Sequence, residues 1–249
     1  MNVAFKNSKH LEAKKHNHYV WGQYLARWGG GTKNVFYTTK TGKIAHDSIR
    51  SIVFDDYFYK TTMLTDWHIE VIKGFSRKSP AHLHQQQMSL LHNFLKVQRA
   101  ETIYRVSGIP NQKADQYFHA MNCNLMENLH ADHEKRVTPI LAALAEEKLD
   151  VLKDKSNLIK FMAFFGHQIS RTKPFRDGTI KVLSRSNPLE IKVALAMEHA
   201  WWFLSYMYGM NIGFSMYVER SNARHALLIN DTSVPFITSD HPVVNVHSC

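Results

Sequence analysis

The apolar positions along the chain change period three times. Between about residue 34 and residue 59 they come in alternating or short aromatic-rich runs, "NVFYTT" and "IAHDSIRSIVFDDYFY", joined by the turn "KTGK". A period of two predicts a hairpin followed by an extended stretch. Just before it, "YVWGQYLARW" (19–28) fits a short helix that Gly29, Gly30 and Gly31 stop. From about residue 82 the period lengthens, with Met88, Leu91, Leu95 and Ile103 at helical spacings until Gly108-Ile109-Pro110 breaks the pattern. A second helix is expected through "DQYFHAMNCNLMENLHADHEKRVTPILAALAEEKL". Its stripe is Phe118, Met121, Leu125, Leu129, Ile140 and Leu144, and Pro139 should bend it. "SNLIKFMAFFGHQISR" is apolar on nearly every face and reads as a buried helix. "NPLEIKVALAMEHAWWFLSYMYG" has Asn187 as cap and Pro188 at the first helical position, with Gly209 expected to close it. Beyond it, "NIGFSMYVE", "HALLIN" and "VPFITS" read as three short strands.

These elements describe an α+β fold: a central helical bundle with short antiparallel strands contributed by both chain ends. No repeat, low-complexity tract or long Pro/Gly/Ser linker divides it. Residues 1–249 are expected to form a single domain, with a hairpin region at 1–80, a helical core at 81–208 and C-terminal strands at 209–249.

Composition adds a partner class. Of 249 residues, 44% are hydrophobic, enough for a sizeable core, while 31 Lys and Arg against 21 Asp and Glu leave a formal charge of +10. Such a balance suits polyanions, nucleic acid first, although it also serves solubility alone. Cys123 and Cys249 make neither a disulfide framework nor a zinc motif, which fits a reducing compartment. The N-terminus lacks the apolar core of a secretory leader, and the longest apolar run is interrupted by Glu198 and His199. A cytoplasmic protein without membrane association is expected.

Four groups of residues carry candidate chemistry. His16 and His18, two apart, would share one face of a strand and could bind a metal or act as a base; a solvated basic tail is the plainer reading. Glu127, His130 and Glu134 fall at i, i+3 and i+7, the Glu-x-x-His spacing of helical metal sites, or else form a charged outer face. His167, Gln168, Arg171 and Arg176 gather at the end of the buried helix. They would hold an anion, or pair with Glu127 or Glu134 as a structural ion pair. Ser239, Asp240 and His241 stand in "FITSDHPVV", where Pro242 ends the strand.

Three blocks, "HNHYVWGQYLARW", "HQISRTKPFR" and "FITSDHPVV", occur in this order, and with Glu127 and Glu134 between the first two. In this the chain resembles the bacterial domain-of-unknown-function family four-two-three-eight, whose members show His-Tyr-Val-Pro, Gln-x-x-Arg-Thr-Pro-x-x-Arg and Phe-Ile-Thr-Ser-Asp-x-Pro. Here Trp21 replaces the proline of the first block and Lys173 is an extra residue in the second. The resemblance carries over His18, Tyr19, Glu127, Glu134, Gln168, Arg171, Arg176, Ser239, Asp240 and Pro242 as site residues and leaves the reaction open.

A carboxylate pair, a histidine and two arginines suit phosphodiester cleavage. The expected function is a nuclease-like phosphodiesterase acting on nucleic acid, RNA before DNA, in the setting of a bacterial toxin or anti-phage effector. His18, Glu134, Arg171 and Asp240 would be catalytic, with Tyr19, Gln168, Arg176 and Ser239 binding substrate. Glu127, Glu134 and Asp240 would hold Mg²⁺ or Mn²⁺ where a metal is used. A non-catalytic nucleic-acid-binding module and an enzyme acting on a free nucleotide are the alternatives, and a protein partner stays open.

Overall fold

A computed structural model describes residues 12–183 and 186–243. The polar N-terminal residues 1–11, Cys249 and the last residues of the expected C-terminal strand region lie outside them. Among the described residues there are eight helices and two two-stranded antiparallel sheets, so the α+β class holds.

The strands all come from the first quarter. β1 (His16–His18) pairs antiparallel with β4 (Phe54–Asp56), and β2 (Asn34–Thr38) pairs with β3 (Ile44–Ser48) as the hairpin that the alternation predicts. Gly42, at φ 78, supplies the left-handed residue of its turn. α1 (Gly22–Arg27) lies between β1 and the hairpin, ending at the glycine run as expected. α2 (Asp66–Ser76) has no counterpart in the sequence expectation; Thr65 and His68 close a capping box at its start.

The bundle follows. α3 is Ala81–Val106 and α4 is Gln112–Ala145, which Asn111 caps by accepting from the Lys113 and Ala114 amides and which continues through Pro139. α5 (Lys155–Ser170) and α6 (Lys173–Lys181) are joined by Arg171 and Thr172; α7 is Pro188–His199 and α8 is Trp201–Val218. Trp201, Trp202, Phe203 and Leu204 at the start of α8 pack with Leu91, Phe94, Ile72, Met126 and Met197 as the main core. A second cluster gathers Trp21, Val137, Ile140, Leu158, Met162 and Phe164. No helix among the described residues is long and apolar enough to cross a membrane.

Two boundaries depart from the sequence expectation. The helix expected from 187 to 209 is two, broken at buried Ala200, and Gly209 lies inside α8 instead of ending it. Gly209 is there for close approach: a Cβ on Gly166 of α5 would stand 2.4 Å from the Gly209 carbonyl O, and one on Gly213 would stand 2.7 Å from the Met162 carbonyl O. α5 and α8 cross backbone against backbone, and no side chain fits between them. For the same reason "NIGFSMYVE" is not a strand; it continues α8 against α5. "HALLIN" and "VPFITS" form no strand among the described residues, and Leu228, Ile229, Val234, Phe236 and Ile237 stay exposed. Their apolar alternation meets no partner strand, and alternation alone does not make a ladder.

Candidate functional site

The β1–β4 register puts His18 opposite Phe54 and Asn17 opposite Asp55. Because successive strand residues face opposite ways, Asn17 turns inward when its two histidine neighbours turn out. It is fully buried: its Oδ1 accepts from the Tyr59 amide at 3.4 Å and its Nδ2 donates to Glu127 Oε2 at 3.3 Å. His18 Nε2 donates to the Ile49 carbonyl at 3.0 Å, and the Tyr59 hydroxyl donates to the His18 carbonyl at 3.2 Å. His16 instead faces solvent and pairs with Asp56 at 2.7 Å.

Glu127 and Glu134 stand two turns apart on α4 and look toward this strand. Beside Glu134 lies Arg171, which caps the C-terminus of α5 and is 2% exposed. Its Nη1 donates to Glu134 Oε1 at 2.8 Å and its Nε to the Tyr19 carbonyl at 3.2 Å, while Nη2 has no partner among the described residues. Of the two alternatives read from the sequence, the Arg171–Glu134 ion pair is therefore formed, and one guanidinium nitrogen is left over. His18, Arg50, Glu127, Glu134 and Arg171 line a common cleft of about 290 Å³, floored by Trp21 and Ile49.

The charges here are strongly biased. Burial pushes the Glu127 carboxyl up, against the opposing pull of Lys14 and Arg171, with Glu134 adding to the rise. Burial works against the Arg171 charge, but the neighbouring carboxylates Glu134 and Glu127 outweigh it and hold its pKa above the ordinary value. Burial raises the Tyr59 phenol, so it stays protonated and donating. The arrangement offers a carboxyl able to give or take a proton beside a cation that cannot lose its own.

The C-terminal block approaches from the side. Thr238 Oγ1 and the Tyr24 hydroxyl are hydrogen-bonded at 2.6 Å, and His241 Nδ1 meets Thr172 Oγ1 at 2.9 Å. Ser239 Oγ closes its own turn, accepting from the His241 amide and donating to the His241 carbonyl. Asp240 is exposed and off the cleft wall; its charge is felt at Tyr19, whose phenol is raised by burial first and then by Asp240 and Asp55. The Tyr19 ring also lies 5.1 Å from Lys173 Nζ, which pairs with Asp55.

Two expected members sit elsewhere. Arg176 pairs with the adjacent Asp177 and lines a separate groove with Ile180 and Lys181. Gln168 is buried in α5, and its Nε2 has no partner among the described residues. The expected metal trio does not assemble: Glu134 is taken by Arg171, Asp240 is off the cleft, and no three His, Cys, Asp or Glu side chains among the described residues converge as ligands.

Three residues of the site escaped the sequence reading. Asn17 was legible, since alternation places the middle residue of "HNH" inside. Tyr59 and Arg50 carry no local signal. His130 turns from the expected Glu127 face into the interior, where its ring lies 4.6 Å from that of Tyr59 and 5.7 Å from that of His167. His133 and Tyr206 extend this buried row through a 2.9 Å hydrogen bond. Both ring nitrogens of His130 and Nδ1 of His167 have no partner among the described residues. Burial first, then neighbouring positive charge, holds His130 and His167 well below the ordinary range, and His133 is lowered to about 4.

The family model described as "Protein of unknown function (DUF4238)" matches residues 16–248, and the chain belongs to that family. No curated protein and no solved structure matches it.

Proposed function

We propose that this member of the DUF4238 family is a nuclease-like phosphodiesterase, acting on RNA before DNA, with its chemistry in the cleft between β1, α4 and the end of α5. The observation that carries the reading is Glu127, a carboxyl raised by burial, on the same cleft wall as a buried arginine whose Nη2 has no partner among the described residues. The guanidinium, oriented by Glu134 and the Tyr19 carbonyl, faces the non-bridging phosphate oxygens and stabilises the charge that builds on them. Glu127 takes the proton of the attacking hydroxyl as the new P–O bond forms. It returns a proton to the leaving oxygen as the old P–O bond breaks. RNA carries its own nucleophile, the ribose 2′-hydroxyl, which suits a site built on acid–base groups. His18, fixed through Nε2 to Ile49, positions the strand that carries Asn17.

Of the three carboxylates expected to hold Mg²⁺ or Mn²⁺, Glu127 is the one on the cleft wall and outside an ion pair. The net charge of +10 supplies affinity for the backbone in the cytoplasm, where a toxin or anti-phage effector would meet RNA. The test is incubation with labelled RNA, DNA and free nucleotides, with EDTA or with Mg²⁺ or Mn²⁺. RNA cleavage that persists in EDTA supports the acid–base site. Turnover of free nucleotide with intact RNA would replace the reading with that of a nucleotide enzyme.

A further inference from the structure

The β2–β3 hairpin presents a face that the bundle does not cover. Its register pairs Phe36 with His46 and Thr38 with Ile44, so these four side chains stand together on one side, while Val35 on the other side is buried. Phe36 and His46 are stacked, with centroids 4.2 Å apart and planes 19° from parallel, yet Phe36 is 75% exposed and Ile44 78%. Apolar side chains left in water on the face of a two-stranded ribbon bury little surface and so contribute little to its folding.

Charge surrounds this platform. Lys33, Lys40, Lys43 and Arg50 are all exposed along the hairpin and its end, and Asp47, the acid of this segment, is hydrogen-bonded to the Tyr37 hydroxyl at 2.7 Å. The hairpin also runs into the cleft: Ile49 and Arg50, directly after β3, line it, and the Ile49 carbonyl is the acceptor of His18. From His46 to Arg50 is at most about 13 Å of extended chain, the length of roughly four stacked nucleotides.

We propose that this hairpin is a docking platform for single-stranded nucleic acid, which stacks a base on the Phe36–His46 pair, tracks its phosphates along Lys40, Lys43 and Arg50, and so feeds one phosphodiester into the cleft. Flat aromatic faces flanked by cations are what a flexible single strand needs, because every base has a π-face to stack and every step a phosphate to neutralise. A duplex hides its bases and has nothing to place on Phe36. This deepens the proposed function and rests on it for the cleft alone.

The experiment is fluorescence anisotropy of the full chain carrying Glu127→Gln, so that the probe stays intact, with a labelled single-stranded RNA of about twelve nucleotides. The same RNA as a duplex and vesicles containing an anionic lipid are run beside it. The platform predicts that the single strand binds more tightly than the duplex, that binding weakens steeply with salt, and that Phe36→Ala weakens it at least about fivefold. Lys40→Glu with Lys43→Glu weakens it further. Phe36 is exposed, so loss of fold does not confound the readout. Equal affinity with and without the Phe36 ring, a preference for duplex, or binding to vesicles but not to RNA would each overturn the platform. Hairpin-dependent binding by a parent protein that cleaves no RNA would leave the platform standing and sink the nuclease reading instead.

Discussion

Arg171 and Glu134, 37 residues apart in the chain, meet through a 2.8 Å hydrogen bond with the arginine side chain entirely buried. This contact ties the end of α5 to the middle of α4, and the Arg171 Nε bond to the Tyr19 carbonyl ties both to the N-terminal strand segment. One side chain thus orders three parts of the cleft.

Removing Arg171 should therefore damage the fold as well as the site. Arg171→Ala leaves Glu134 without its cation and takes one of two nearby cations from the half-buried Glu127, and breaking a buried pair in this way costs about 3–5 kcal/mol. Chemical denaturation measures it. A loss under about 1 kcal/mol would mean the pair is screened by solvent and does not order the site.

The α5–α8 crossing gives a sharper structural test. Gly166→Ala places a methyl 2.4 Å from the Gly209 carbonyl O and 2.6 Å from the Gly213 backbone N, neither of which can rotate away. We expect a loss of about 2 kcal/mol or more, since the helices must separate. Gly74→Ala, on α2 with open space around its Cβ position, should be neutral or slightly stabilising.

Acid should weaken the protein earlier than its carboxylates alone would. His130, His133 and His167 have folded pKa values held below the ordinary 6.5 by burial. The unfolded chain then binds more protons than the folded one once the pH drops below about 6.5. Stability contributed by keeping these rings neutral is present above that pH and is lost progressively toward about 4, where His133 titrates. Glu127 works in the opposite sense, its raised pKa favouring the fold at low pH, but three buried rings oppose one carboxyl. Urea unfolding at pH 7.5, 6.0 and 5.0 should show falling midpoints. A flat profile would contradict the neutral buried row.

Asp240 is the expected catalytic residue that the geometry supports least. Its turn is closed by Ser239, so Asp240→Asn should leave the melting temperature unchanged. It should also reduce RNA cleavage less than Glu127→Gln does, because Asp240 stands off the cleft wall. Ser239→Ala, by contrast, should loosen the turn by about 1 kcal/mol. A loss of activity in Asp240→Asn as large as that in Glu127→Gln would restore Asp240 to the chemistry.

What the sequence made legible follows from how locally each feature is encoded. The helices at 81–106, 112–145 and 155–170, the hairpin and the Asn187 cap rest on periodicity and capping within a few residues, and all are present. Pairing of Arg171 with a glutamate was foreseen as an alternative because buried arginine seeks a carboxylate. The placement of Asp240 and Arg176 was not legible, since it depends on how α6 and the C-terminal segment pack. Gly209 was misread because a glycine needed for helix contact looks in sequence like one that ends a helix. Among the described residues the C-terminal apolar alternation lacks the one thing a sequence cannot display, a neighbouring strand to pair with.

The central claim is that Glu127 is kept in the cleft for its proton. A carboxyl whose pKa is raised by burial favours the fold less when ionised, so Glu127→Gln removes a destabilising charge and retains an acceptor for Asn17 Nδ2. The decisive measurement is cleavage of labelled single-stranded RNA by parent and Glu127→Gln at pH 7.5, beside thermal melting of both. The expected result is a melting temperature equal to or above that of the parent with cleavage reduced at least about 100-fold, the usual contribution of one positioned acid–base group. Equal cleavage by both proteins, or no cleavage of RNA by the parent, would contradict it.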